Sequence, residues 1–169
     1  MPLPGSIVIY LDIFRALHDH QVAYLLVGGL AMNLHGVPRM TMDVDLVLAM
    51  DAGNLDRFIG CANSLNLTPS VPVALAALKD PAQRRFWFEQ KHMLAFGLQN
   101  NHARVPVMVD VLIAPAIDIE QAFARALTRD LNGLPITLAS IEDMIALKTG
   151  TGRAQDESDI EHLERIRDR

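Results

Sequence analysis

A short apolar run, Ala23 to Val27, stops at Gly28-Gly29, and the next apolar run, residues 42 to 49, opens on two carboxylates, Asp43 and Asp45. No other feature constrains the fold as much. The first run predicts a strand that feeds a tight turn. Leu30 to His35 predicts a short helix ended by Gly36 in a left-handed conformation, and Val37-Pro38-Arg39 predicts a loop. The second run predicts a strand. Side chains two apart on a strand share a face. Asp43 and Asp45 therefore point the same way, roughly 6 to 7 Å apart at Cα, while Val44 and Leu46 turn into the core.

That arrangement has a chemical reading. Two glycines let a ligand approach the backbone closely, and the helix after them presents free N–H groups and the positive end of its dipole, which suits phosphate. Two carboxylates on one face repel each other unless a cation lies between them. Hard oxygen ligands at this spacing suit Mg²⁺, with Mn²⁺ the alternative, and Mg²⁺ usually also binds substrate phosphates. A solvated strand edge is the plainer explanation of the acids alone; the adjacent glycines favour the metal. Asp110 is the third acid. It sits in the apolar run Val107 to Ile113, where an unpaired carboxylate is costly. If that strand lies beside the Asp43 strand, the three acids converge. The alternative is an aspartate at a strand end, hydrogen-bonded to backbone.

The remaining pattern predicts helices over residues 6 to 19, Asn54 to Leu65 and Ile117 to Leu127. Strands are expected at Phe86 to Glu89, Met93 to Gly97, Val105 to Ile113 and Leu134 to Leu138. Leu67 to Asp80 carries no clear period. Ser140 opens a helix with Asp143 at the capping-box position, and a last helix runs from about Asp156, which is read as its cap. The expected fold is α/β (α+β), a mixed sheet of about five strands flanked by helices. It forms one domain over residues 1–169, in which the helical segment 140–169 completes the site.

Several side chains could serve that site. Ile141, Met144, Ile145 and Lys148 share a helical stripe, so Lys148 starts from the inward face; a triphosphate would satisfy it, as would snorkelling at a helix end. Arg39 and Thr41 precede the acid pair, and Arg39 can fork onto a phosphate, stack on a base, or remain an ordinary loop arginine. His35 reads as structural. Asp159 is expected to pair with Lys148 or Arg153. Met32, Met40 and Met42 are expected to fill gaps. Arg84-Arg85-Phe86-Trp87-Phe88 is expected to pack a core, with a stacking platform for single-stranded RNA as the alternative.

Composition sets bounds. The chain has 169 residues, 50% of them apolar, enough for a proper core. Its net charge of -5 disfavours a broad nucleic-acid-binding surface. Cys61 is the only cysteine, which excludes an intramolecular disulfide and a zinc cluster and points to a reducing, cytoplasmic setting. Asp12 and Arg15 interrupt the first apolar stretch, so no membrane span is expected there.

Val27-Gly-Gly-Leu-Ala-Met-Asn-Leu-His-Gly-Val-Pro-Arg-Met-Thr-Met-Asp-Val-Asp-Leu46 resembles the signature of the nucleotidyltransferase superfamily related to DNA polymerase beta. It is most similar to the small bacterial branch of minimal nucleotidyltransferases and abortive-infection type toxins. The tail Ser140 to Lys148, followed by Arg153 and Asp156-Glu-Ser-Asp159, is similar to the same branch. The resemblance implies two-metal transfer of a nucleotide from an NTP to an acceptor hydroxyl. Asp43, Asp45 and Asp110 would be catalytic metal ligands. Gly28, Gly29, Arg39, Thr41 and Lys148 would bind the nucleotide, with Asp156 secondary. Many members carry Gly-Ser where this chain has Gly28-Gly29, and Gly-Gly is familiar in the toxin-like branch. The acceptor could be a tRNA, a protein or a small molecule, and an antitoxin-like protein is the expected partner. Two other readings are a non-catalytic nucleotide-binding or antitoxin-partner module and a metal-dependent glycosyltransferase, which also uses Asp-x-Asp.

Overall fold

The computed structural model describes residues 5–41, 43–101 and 106–169, with side chains from Tyr10 onward. The chain begins with helix α1 (Gly5–Asp19), then strand β1 (Tyr24–Val27), helix α2 (Gly28–Leu34) and strand β2 (Asp43–Leu48). Gly36 follows α2 at φ +98°, the left-handed stop expected of it. Strand β2 runs antiparallel to β1, with Val27 opposite Asp45 and Tyr24 opposite Leu48. Helix α3 (Ala52–Ser64) is capped by Asp51, which accepts from the Asn54 N–H. Buried Asn54 then staples the two strands: its amide donates to Ala23 O at 2.9 Å and Ala49 O at 2.8 Å and accepts from Ala23 N at 2.7 Å.

Strand β3 (Thr68–Pro69), a 3₁₀ turn (Leu75–Lys79) and helix α4 (Pro81–Lys91) fill the middle of the chain. The expected strand at Phe86 to Glu89 is thus corrected to helix. Asp80 caps α4 by accepting from Ala82 N, and Pro81 occupies its first turn, both favourable start signals. The aromatic cluster follows from helical rather than strand geometry. Trp87 is buried and stacks on Phe96 with centroids 5.3 Å apart, whereas Phe86 and Phe88 are exposed.

Strands β4 (Ala95–Asn100) and β5 (Val107–Leu112), helix α5 (Ile119–Ala124), strands β6 (Leu127–Leu131) and β7 (Leu134–Leu138), and helices α6 (Ile141–Lys148) and α7 (Ala154–Arg167) complete the chain. The helix expected to reach Leu127 stops at Ala124, because Leu127–Leu131 pairs antiparallel with β7 around the Asn132-Gly133 turn, both residues at positive φ. The strand starts expected at Met42 and Val105 lie outside the described residues.

The sheet has seven strands rather than about five, in the order β3-β4-β5-β2-β1-β7-β6. The added ones are β3 and β6, the two edges. Contacts between β2 and β5 and between β1 and β7 are parallel; the other pairs are antiparallel. The central strands carry the core, with Leu25, Leu26, Val44, Leu46, Val47, Leu48 and Val111 fully buried. Helix α1 packs on β7 and α3, and α6 packs on α7. Among the described residues no helix is long and apolar enough to cross a membrane.

Candidate active site

Parallel pairing of β2 with β5 sets Asp45 directly opposite Asp110 and Asp43 opposite Met108. Residues in register on adjacent strands share a face, so all three acids rise from one side of the sheet centre, as their sequence positions suggested. Val44 and Leu46, on the other face, are fully buried. Burial pushes the Asp45 carboxyl up to about 7, aided by the charges of Asp110 and Asp43, while Lys148 and Arg39 pull the other way. Asp110 is also raised, by burial and then by Asp43. Among the described residues, none of the three forms an ion pair with a lysine or arginine.

The glycines around these acids are dictated by space. Gly28 has φ +73°, and a Cβ there would lie 2.0 Å from Asp45 Oδ2. A Cβ on Gly29 would lie 2.8 Å from the Thr41 side chain. Gly97 stands opposite Asp110 on β4, and a Cβ there would come within 3.2 Å of both Asp110 Oδ1 and Ser70 Oγ. The close approach of Gly97 and Ser70 to Asp110 was not legible, because the signal is a cross-strand register rather than a sequence spacing.

These elements wall a cleft of about 1180 Å³. Gly28, Gly29, Arg39, Thr41, Asp43, Asp45, Lys148 and Asp156 all line it; Asp110 does not reach its wall. Phe88 and Leu94 supply an apolar side. Met40 also lines the cleft and is 96% exposed, so it fills no gap in the core, unlike fully buried Met32. His35 is structural as expected: it is buried, with Nε2 2.8 Å from Ala139 O.

An ionic network shares the cleft with the acids. Ser140 caps α6 by accepting from Asp143 N, and α6 delivers Lys148 at its last turn. Lys148 Nζ donates to Asp159 Oδ2 at 2.9 Å and lies 3.5 Å from Asp156 Oδ1. Arg39 also pairs with Asp159 Oδ2. Asp156 is not the cap of α7, which begins after Arg153 with no side-chain cap. It is the third helical residue, and it accepts from Thr151 Oγ1 and Arg153 Nε, each at 2.7 Å. Burial alone would raise Asp156; the Thr151 hydroxyl, Lys148 and Arg153 hold it below the usual carboxylate value.

A mixed sheet with an Asp-x-Asp pair beside a glycine turn, a third acid on the neighbouring parallel strand and a lysine-bearing helix across the cleft defines a protein of the nucleotidyltransferase fold. Solved structures agree. An antigenic nucleotidyltransferase-like protein from Paracoccidioides brasiliensis superposes with a TM-score of 0.61 at 21% identity, over 98% of this chain and 78% of that one. The lincosamide antibiotic adenylyltransferase LnuA, bound to lincomycin, gives 0.59 at 17% identity, over 97% and 98%. ANT(2")-Ia, in complex with adenylyl-2"-tobramycin, gives 0.54 at 13% identity, over 98% and 96%. No curated protein matches the sequence significantly. The family model of the nucleotidyl transferase AbiEii toxin of type IV toxin–antitoxin systems matches residues 11–160, and the chain belongs to that family.

Proposed function

We propose that the protein is a divalent-metal-dependent nucleotidyltransferase that moves a nucleoside monophosphate from an NTP to an acceptor hydroxyl, as the toxin of a toxin–antitoxin pair whose partner is an antitoxin-like protein. The observation that carries this reading is the in-register placement of Asp45 and Asp110, with Asp43 on the same face, beside the Gly28-Gly29 turn and across from Lys148. The donor set fits a metal. It is all carboxylate oxygen, as Mg²⁺ or Mn²⁺ prefers, and its negative charge is unmatched by a paired cation. Among the described residues no three acidic, histidine or cysteine side chains are grouped closely enough to hold a metal ion together.

Asp43 and Asp45 would hold the ion, and Asp110 would either join them or take the acceptor's proton. The bound ion would neutralise phosphate charge and increase the acidity of the attacking hydroxyl. The acceptor oxygen forms a bond to the α-phosphorus, the α–β bridging bond breaks, and pyrophosphate leaves. Lys148 and Arg39 face the phosphates as counter-charge, Thr41 and the Gly28-Gly29 backbone line their seat, and Asp156 holds Lys148. Residues 140–169 act as part of the same domain, because they supply the cationic wall.

The test is incubation with labelled NTPs and Mg²⁺ or Mn²⁺ against tRNA, protein and small hydroxylated acceptors. Transfer by the native protein should fall at least a thousandfold in Asp45→Ala. No transfer to any acceptor, or equal transfer by the variant, would refute the reading.

A further inference from the structure

Asp159 joins three separate parts of the cleft wall. It is 2% exposed. Its Oδ2 receives Arg39, from the loop between α2 and β2, and Lys148, from the end of α6; its Oδ1 accepts from Gln155 Nε2 at 3.0 Å. The Arg39 segment is also tied at its backbone, where Arg39 N donates to Asn33 Oδ1 at 2.8 Å. Two residues further on, Thr41 lies against Gly29 and donates to Asp43 O at 3.3 Å. A hold on Arg39 is thus a hold on the stretch that enters β2 at Asp43.

Charge favours the same role. Arg39, Lys148 and Arg153 bring three cations, Asp156 and Asp159 two anions, so the cluster keeps one positive charge in surplus on a wall that faces Asp43 and Asp45. Without Asp159, Arg39 would lose the anion it shares with Lys148, and Lys148 would keep only the longer pair to Asp156 at 3.5 Å. Prepaying that ordering in the free protein reduces what a ligand must pay on binding.

We propose that Asp159 is a positioning residue for the nucleotide: it fixes Arg39 and Lys148 as a preset pair for the triphosphate and locks α7 to the loop that leads into the acid strand. This rests on the cleft being the nucleotide site. Asp159 touches no substrate itself and acts through the two cations.

Calorimetric titration with each NTP in the presence of Mg²⁺, without acceptor, tests it. Asp159→Asn keeps the shape and removes the charge; Kd should rise about tenfold. Arg39→Gln should show a similar loss, and the double variant should be no worse than about twice the poorer single one, because both break one linkage. Arg39→Lys keeps a cation for Asp159 and should recover at least half of the loss on a logarithmic scale. That comparison stands even if Asp159→Asn fails to fold. An Asp159→Asn Kd within twofold of native, multiplicative losses in the double variant, or equal loss for Lys and Gln at position 39 would overturn the proposal. If the native protein binds no NTP, the nucleotide reading itself falls; if native binds and Asp159→Asn binds equally, only the positioning role falls.

Discussion

Asp45 sits where fold and chemistry oppose each other. It is pushed up to about 7 by burial and by the neighbouring acids, so the folded protein holds its proton more tightly than the unfolded chain, where the group titrates near 4. Between those values the unfolded chain ionises first, and stability falls as pH rises through the window from about 4 to 7. Above it the loss is complete. With a chelator present, Asp45→Asn should therefore melt higher than the native protein at pH 8, by about 1–2 kcal/mol or several degrees, and the two should converge near pH 4. Adding Mg²⁺ at pH 8 should raise the native melting temperature and leave the variant nearly unmoved. Thermal unfolding at pH 4, 6 and 8 reads this directly. A variant no more stable than native at pH 8 would contradict the charge conflict.

At the scale of elements, the sequence showed where most of the candidate site's residues would lie and less of their frame. Strand β1, helix α2 and strand β2 were legible because a short apolar run, paired glycines, a left-handed glycine stop and the alternating Asp43 to Leu46 agree with one another over this stretch. Asp110 was legible because a lone acid in an apolar strand demands a partner. Helix α4 was not, because Phe86, Trp87 and Phe88 have strand propensity while the start signal, Asp80-Pro81, stands several residues upstream. Strand β6 was hidden because four of its five residues are exposed, so it has no buried face to mark a period. The role of Asp156 was misplaced by one turn, since Thr151 and Arg153 reach back to it only once the loop before α7 is folded. Helix α6 shows a start signal that did work. Ser140 caps it and also donates to Asp143 Oδ2 at 2.9 Å, while Arg125 pairs with the same buried carboxylate at 2.7 Å. Ser140→Ala removes the cap and one partner of a buried charge together. It should cost about 1–3 kcal/mol, more than the cap alone, and denaturant unfolding would show it as a lower midpoint at unchanged slope. A loss under about half a kcal/mol would mean that Arg125 alone satisfies Asp143.

The whole molecule closes its cleft from segments far apart in the chain: Gly28, Gly29, Asp43 and Asp45 come from its first third, and Lys148, Arg153 and Asp156 from its end, with Arg39 joined to the latter through Asp159. A ligand that spans both sides ties the start of the fold to its end, so its binding energy should appear in global unfolding. For one site, ligand at a hundred times its Kd adds about 2.7 kcal/mol, and for a chain of this size each kcal/mol is worth roughly 2–4 °C. NTP and Mg²⁺ together should therefore raise the melting temperature by about 5–10 °C. Either alone should do much less, because the triphosphate without its ion meets the acids and the ion without the triphosphate leaves Lys148 and Arg39 on their own carboxylates. The excess of the joint shift over the sum of the separate shifts measures the coupling between the two walls. That excess should vanish in an Asp43→Asn/Asp45→Asn double variant, which keeps the cationic wall, and should shrink in Lys148→Met, which keeps the acids. Separate shifts that simply add in the native protein would show that cation and nucleotide occupy independent sites, and would break the link between the acid strands and the helical wall on which the reading of the cleft depends.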